Sequence, residues 1–257
     1  MKYIRKAKFV FLFVLLVLFL QTGCKRNPEE PIFEDATLEP LYFDHLAWHP
    51  AGEWIAVEHG DSVDNDKDGK LDAYFGGIWL VNAETGATQP LLRGFTLPAW
   101  SPDGKRLALV RGAQIYTIDV ISLKPARVDS NSLRQLTFEG GNFFPAWSPD
   151  GQWIVYDSNA ESPNGMYFIW KIQANGSQKT RIAYEPTMGE IRMPHWSPDG
   201  KKITHIRYLV GTFSSEIFEM DTSGTNIARL TLNNSIDYIH PDTLPMVGKL
   251  PSIRNRV

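Results

Sequence analysis

The stretch AWSPDGKRLALVRG, residues 99–112, is one of four similar stretches that decide the fold of this chain. The other three are AWHPAGEWIAVEHG at 47–60, AWSPDGQWIVYDSN at 146–159 and HWSPDGKKITHIRY at 195–208. Their tryptophans, Trp48, Trp100, Trp147 and Trp196, are separated by 52, 47 and 49 residues. A repeat of about 50 residues suits one blade of a β-propeller, a unit that buries its apolar faces against its neighbours.

Each repeat also contains the strand pattern that a blade needs. Ser-Pro-Asp-Gly forms turns, because proline fixes φ and glycine supplies a positive φ. A short apolar segment such as WIVY at 153–156 follows the turn, and segments such as EIFEMD at 216–221 come next. No segment of helical period competes with them. The sequence therefore predicts an all-β fold, a β-propeller of about four recognisable blades.

The residues that recur in the motif have a structural and a functional interpretation. Asp103, Asp150 and Asp199 could be repeated acids of a site, but their place in the turn sequence favours a role in shaping the turn. The four tryptophans are expected to pack between blades, where an indole buries on the order of 200 Å². Ala51 replaces the aspartate in the first repeat and indicates a degenerate turn.

The N-terminus has the layout of a secretory signal peptide. MKYIRKAK carries four positive charges, and an apolar run of twelve residues follows from Phe9 to Leu20. Twelve residues are fewer than the roughly 20 that span a membrane. Thr22, Gly23 and the single cysteine, Cys24, resemble the lipobox of bacterial lipoproteins. The resemblance implies lipidation of Cys24, and the alternatives are an ordinary cleaved signal peptide or an uncleaved anchor.

These features predict four segments: a lipoprotein signal peptide at 1–23, a polar tether at 24–40, the blades at 41–237 and an irregular tail at 238–257. The chain has a net charge of −3, and residues 1–23 contribute +4, so the processed form would carry −7. An acidic product is a poor candidate for binding nucleic acid. By resemblance to enteric lipoproteins, Lys25 after Cys24 implies the outer membrane of a bacterial envelope, facing the periplasm or the surface.

The segment DNDKDGKLD, residues 64–72, is a candidate calcium site. Calcium takes six to eight oxygen ligands, and loops of this spacing supply them from the first, third, fifth, seventh and ninth positions. Those ligands would be the carboxylates of Asp64, Asp66, Asp68 and Asp72 and the backbone carbonyl of Lys70. The loop resembles those of FG-GAP propeller repeats and thrombospondin type-3 repeats, which implies a structural Ca²⁺. The alternative is a solvated acidic insertion.

The longest motif, RQLTFEGGNFFPAWSPDGQWIVYDS at 134–158, resembles the repeat of TolB-like β-propellers. The resemblance covers about 190 residues and implies four-stranded blades around a central channel that often serves as a binding platform. TolB-like propellers have six or more blades, so four motifs leave three alternatives open. The chain could form a four-bladed ring, an open array completed by another chain as an oligomer, or a truncated product.

Two classes of function are consistent with these motifs. The first is a non-catalytic, membrane-anchored envelope lipoprotein whose propeller binds a protein or a glycan. The second is a polysaccharide-processing enzyme, because the repeat also resembles the propeller of oligogalacturonate lyases. Period-two alternation would place His205 and Arg207 on one strand face that could line the channel, while the alternative, and the more common role of a lone strand histidine, is structural. Glu190 and Arg192 precede the last motif, at a position where propellers often present channel-mouth residues. His195 replaces the alanine of that motif as a packing or turn residue. A truncated paralogue without independent function is the third alternative.

Overall fold

Every regular element that the structure describes is a β-strand. The computed structural model describes residues 43–63, 73–183, 189–208 and 215–231. The strands in these ranges form four sheets of four strands, and each strand pairs antiparallel with the next one along the chain. The predicted all-β propeller of four blades is therefore confirmed.

The strands follow the same order in every blade, from the innermost to the outermost. Blade 1 contains β1 (Phe43–Trp48), β2 (Trp54–Val63), β3 (Ala73–Asn82) and β4 (Thr88–Arg93). Blade 2 contains β5 (Thr96–Trp100), β6 (Arg106–Arg111), β7 (Gln114–Leu123) and β8 (Ala126–Gln135). Blade 3 contains β9 (Asn142–Trp147), β10 (Trp153–Ser158), β11 (Phe168–Gln173) and β12 (Thr180–Ala183). Blade 4 contains β13 (Ile191–Trp196), β14 (Lys202–Tyr208), β15 (Ser215–Asp221) and β16 (Ala228–Arg229).

The inner strands lie side by side and hold the blades in sequence. β5 contacts β1, β9 contacts β5, and β13 contacts β9. Each inner strand ends at the tryptophan of the repeat. A turn leads from there to the second strand, with the sequence Ser-Pro-Asp-Gly in blades 2 to 4 and His-Pro-Ala-Gly in blade 1. The repeat motif therefore marks one end of the innermost strand pair in each blade.

The hydrophobic core lies between the blades rather than within them. One cluster of buried side chains joins blades 1 and 2, another joins blades 2 and 3, and a third joins blades 3 and 4. Alternate residues of β10 enter different clusters, since Ile154 and Tyr156 face blade 2 while Val155 faces blade 4. A strand that is buried on both faces reads as a continuous apolar run, as WIVY does.

The β2–β3 hairpin is longer than a typical blade hairpin. Its pairing extends from Trp54 opposite Asn82 to Val63 opposite Ala73. Residues 64–72, the predicted calcium loop, connect the two strands and lie outside the described residues. Because successive strands are antiparallel, the ends of β2 and β3 at Val63 and Ala73 lie at the opposite end of the blade from the turn that joins β1 to β2.

Candidate ligand-binding channel

The repeated turns are held by a hydrogen bond between serine and aspartate. Each serine hydroxyl donates to the aspartate two residues on, at 2.5–2.6 Å, and that carboxylate accepts a backbone N–H two residues further along. The serine hydroxyl is the main reason that the pKa of each aspartate is lowered. These three carboxylates are Asp103, Asp150 and Asp199. Their contacts are those of turn-shaping residues.

Consecutive turns stack on one another along one face of the propeller. A β-carbon at Gly151 would lie 3.3 Å from Cγ of Pro102, and one at Gly200 would lie 3.7 Å from Cδ of Pro149. In blade 1, His49 takes the place of the serine, and its Nε2 lies 3.2 Å from the carbonyl oxygen of Gly104. These contacts between consecutive turns help to set the angle between one inner strand and the next.

The four tryptophans do not have equivalent surroundings. Trp100 and Trp147 are 7% and 8% exposed, and the Trp147 indole donates to the carbonyl of Ala99 at 3.1 Å. Trp196 is half-buried against the core between blades 3 and 4. Trp48, by contrast, is 59% exposed. The packing role expected of Trp48 is therefore wrong, because no described blade precedes β1 to cover it.

A cavity of about 450 Å³ lies among the four inner strands. Its volume is within the roughly 300–1,000 Å³ of typical ligand sites. The wall is mostly aromatic and aliphatic, with Asp44, His45 and His195 as its titratable groups. The apolar part of the wall consists of Leu46, Ala47, Trp48, Leu97, Pro98, Ala99, Trp100, Phe144, Pro145, Ala146, Trp147 and Trp196. A cavity of this size, with apolar side chains and three titratable groups in its wall, is a candidate binding site.

His195 is a cavity residue that the sequence interpretation did not identify. It lines the cavity at the position where blades 1, 2 and 3 have Ala47, Ala99 and Ala146. The four repeats, aligned on their tryptophans, could have identified it, because the residue before the tryptophan is alanine in three repeats and histidine in the fourth. Histidine at this position introduces a hydrogen-bonding group into the wall where the other three blades have a methyl group.

Each inner strand bends at a residue of positive φ, three positions before the tryptophan. These residues are His45, Leu97, Phe144 and Met193, with φ between 43° and 52°. At two of the joints, which are the contacts between neighbouring blades, a carboxylate of the preceding blade accepts a hydrogen bond from the backbone N–H of the bent residue. The Leu97 N–H donates to Glu58 Oε2 at 3.2 Å, and the Met193 N–H donates to Asp157 Oδ2 at 3.1 Å. Glu58 and Asp157 occupy equivalent positions in β2 and β10, and the sequence interpretation assigned no role to either.

The joint between blades 3 and 4 contains a buried ion pair. Asp157 is fully buried and accepts from Arg192 Nε at 2.8 Å, while Arg192 stacks 4.0 Å from the ring centroid of Tyr167. Burial raises the pKa of Asp157 to about 6, although the Arg192 charge and hydrogen bond oppose the rise. Glu190 lies 3.7 Å from Arg192. Arg192 and Glu190, expected at the channel mouth, therefore belong to this joint.

His205 and Arg207 do not line the cavity. Both are buried on the face of blade 4 that is turned toward blade 3, and the His205 ring stacks parallel on Phe218 at 5.8 Å. Burial, assisted by the Arg207 charge, lowers the pKa of His205 to about 3. The Arg207 guanidinium lies 4.7 Å from the Phe218 ring centroid. The expectation that these two residues face the channel is wrong, because that strand face is covered by the neighbouring blade.

Several predicted site residues lie outside the described residues. They are the lipidation residue Cys24 and the calcium ligands Asp64, Asp66, Asp68, Lys70 and Asp72. Within the ranges that the structure does describe, no group of three or more His, Cys, Asp or Glu side chains could hold a metal ion. The same ranges contain no helix long and apolar enough to cross a membrane.

The comparisons with known proteins agree with this architecture. Residues 76–243 match the family model described as the TolB beta propeller domain. An uncharacterized protein of Agrobacterium fabrum is 32% identical over 212 residues, which are 74% of this chain and 69% of that protein. The chain belongs to the TolB β-propeller family.

Solved structures show the same fold. A TolB candidate of Agrobacterium tumefaciens is 27% identical with a TM-score of 0.57, covering 75% of this chain and 66% of that chain. TolB of Acinetobacter baumannii is 20% identical with a TM-score of 0.56, covering 74% of this chain and 43% of that chain. The chain thus spans about two thirds of the first structure and less than half of the second.

Proposed function

We propose that this protein is a non-catalytic, lipid-anchored protein of the bacterial cell envelope whose channel cavity binds a segment of a protein or a glycan. The observation that carries the proposal is the cavity of about 450 Å³, which all four inner strands line. Apolar and aromatic walls favour stacking of sugar rings or apolar side chains, and a few polar groups orient the ligand. Asp44, His45 and His195 supply those polar groups here.

The anchoring part of the proposal rests on the N-terminal sequence. A charged start, an apolar run and Cys24 would deliver the protein to the envelope and attach it to lipid. The polar stretch at 24–40 would then separate the membrane from the first strand, which begins at Phe43. Incorporation of labelled palmitate tests this part: it should occur in the wild-type chain and disappear in Cys24→Ser.

The proposal includes a structural calcium ion in the loop at 64–72. The pairing of β2 with β3 up to Val63 and Ala73 supports it, because the nine residues left between them span the whole predicted ligand set from Asp64 to Asp72. Repulsion among four carboxylates would weaken the hairpin end, and a divalent ion would remove that repulsion. The ion would stiffen the long hairpin of blade 1.

Calorimetric titration of calcium into the full-length chain tests the metal. We expect saturable binding that Asp66→Ala/Asp68→Ala abolishes. The matched control is Glu84→Ala/Glu161→Ala, which removes two exposed acids elsewhere and should leave binding intact. A flat titration of the wild-type chain, or binding that survives in the first variant, would show that the loop is a solvated insertion.

The ligand site is tested with His195→Ala, which installs the residue that stands at this position in the other three blades. The full-length chain and the variant are applied to arrays of synthetic peptides and of oligosaccharides. Ligands of the channel should bind the wild-type chain and lose at least tenfold in affinity with His195→Ala. The control Phe138→Ala alters an aromatic side chain that is exposed away from the cavity and should retain binding. An absence of ligands, or ligands insensitive to His195→Ala, would contradict the proposal.

A further inference from the structure

The four inner strands differ at one position that controls access to their backbone. β5, β9 and β13 have a buried proline two residues before the tryptophan, and these prolines are Pro98, Pro145 and Pro194. β1 has Leu46 at the same position, and its side chain is 58% exposed. Proline has no backbone N–H, so this difference removes a hydrogen-bond donor from three strands and leaves it in β1.

The register shows which way that donor points. The His49 N–H donates to the carbonyl of Trp54 at 2.8 Å, and Ala47 is paired with Ala56. Residues of an antiparallel pair alternate between bonding to their partner strand and pointing away from it. The backbone groups of Leu46 and Trp48 therefore point away from β2, toward the inner edge of the blade.

The prolines of the other blades occupy the same edge position. The N–H groups of Ser101, Ser148 and Ser197 donate to the second strand in the same way as that of His49. Proline at a strand edge has no N–H to donate, which prevents another strand from pairing there. Of the inner strands that the structure describes, β1 alone lacks this block.

Among the described residues, β1 has a neighbouring inner strand on one side only. β5, β9 and β13 each contact the inner strand before them, whereas no inner strand of the described ranges precedes β1. The side chains of Asp44, Leu46 and Trp48, at every second position of β1, are all exposed. β1 thus has a carboxylate and two apolar side chains exposed, and the backbone N–H groups of Leu46 and Trp48 point away from β2, toward the inner edge of the blade.

We propose that β1 is a strand-addition site that binds an extended peptide segment of a partner protein. The segment pairs with the backbone at Leu46 and Trp48, placing apolar side chains against these two residues and a lysine or arginine beside Asp44. Asp44 accepts from the His45 N–H at 2.8 Å through one carboxylate oxygen, and its side chain is exposed. Its charge favours this partner, because the described residues that line the cavity include neither a lysine nor an arginine. The inference rests on the proposed function and selects a peptide over a glycan as the ligand.

The test compares binding of one synthetic peptide, acetyl-Thr-Lys-Thr-Val-Thr-Val-Thr-amide, to the full-length chain and to two variants. Leu46→Pro installs the residue of the other three inner strands, at a bend that has the same positive φ in all four, and removes the donor. Leu46→Val keeps the donor. We expect Leu46→Pro to weaken binding at least tenfold and Leu46→Val to change it less than threefold. N-methylation of the peptide at alternate residues should abolish binding, because it blocks strand pairing without changing any side chain.

Three outcomes would overturn the inference. Equal binding to the wild-type chain and Leu46→Pro would show that β1 is not the site. A full-length chain that sediments as a dimer and becomes monomeric with Leu46→Pro would assign the edge to a second copy. If the peptide fails to bind while an oligosaccharide binds in a manner sensitive to His195→Ala, the channel function stands and strand addition is wrong. If neither ligand class binds, the proposed function itself fails.

Discussion

The joint between blades 2 and 3 and the joint between blades 3 and 4 use the same repeat positions for different chemistry. Val110 of β6 and Asp157 of β10 occupy equivalent positions of the repeat. The valine packs in an apolar cluster, whereas the aspartate is fully buried and forms an ion pair with Arg192. Tyr156 faces the first of these joints, and His205 occupies the equivalent position at the second. The repeat therefore fixes where side chains meet, and the individual residues decide whether a joint responds to pH.

The apolar joint should show the largest effect of a single substitution. Trp147→Ala removes an indole that is almost fully buried between blades 2 and 3, so we expect the free energy of unfolding to fall by about 3–5 kcal/mol. Trp48→Ala changes the same motif residue where it is exposed and should cost less than about 1 kcal/mol. Urea unfolding of both full-length variants measures the difference, and equal losses would show that burial between blades does not set the cost of removing the indole.

The ionic joint should differ from the apolar joint in its dependence on pH. The pKa of Asp157 is raised from 3.8 to about 6 on folding, so the folded state binds this proton more tightly than the unfolded state does. The contribution of Asp157 to stability is therefore greatest below about pH 4, declines as pH rises to about 6 and is constant above that. The decline amounts to roughly 3 kcal/mol at most.

Asp157→Asn isolates this contribution. The variant lacks the titrating group, so its stability relative to the wild-type chain should increase from pH 4 to pH 7, whatever constant cost comes from losing the Arg192 ion pair. His205 acts in the opposite direction, since its lowered pKa favours the folded state above its ordinary value of 6.5, but it is unchanged in both proteins. Unfolding free energies at pH 4, 5.5 and 7 provide the measurement. Parallel profiles for the two proteins would contradict the assignment.

The turns should show the smallest effect and no difference between joints. Ser148→Ala removes the hydroxyl that donates to Asp150 and accepts from the Trp153 N–H at 2.9 Å. The serine is buried, but its aspartate partner is exposed and can bond to water instead, so we expect a loss of about 1 kcal/mol. Ser101→Ala and Ser197→Ala remove the same pair of bonds and should match it. Thermal unfolding of the three variants checks this, and a loss confined to one blade would show that the turns are not equivalent.

Much of the channel was accessible from sequence because its framework is local. The Trp-Ser-Pro-Asp-Gly spacing identified where each inner strand ends, and the apolar run after it indicated a strand buried on both faces. The exposed edge of β1 also has a sequence signature, since Leu46 replaces a proline found in three repeats. The sequence alone does not show what this difference does. The register of β1 against β2 shows that the backbone N–H of Leu46 points away from β2.

The sequence by itself determined the all-β class, the four repeats that form the described blades and the turn chemistry, since these depend on residues within one repeat. Tertiary structure decided the rest. Glu58 holds the bend at Leu97, 39 residues away, and Asp157 holds Met193, 36 residues away. Burial of His205 and exposure of Trp48 likewise depend on whether another blade stands beside them. Period-two alternation shows which residues share a strand face, but only the arrangement of neighbouring blades shows what covers that face.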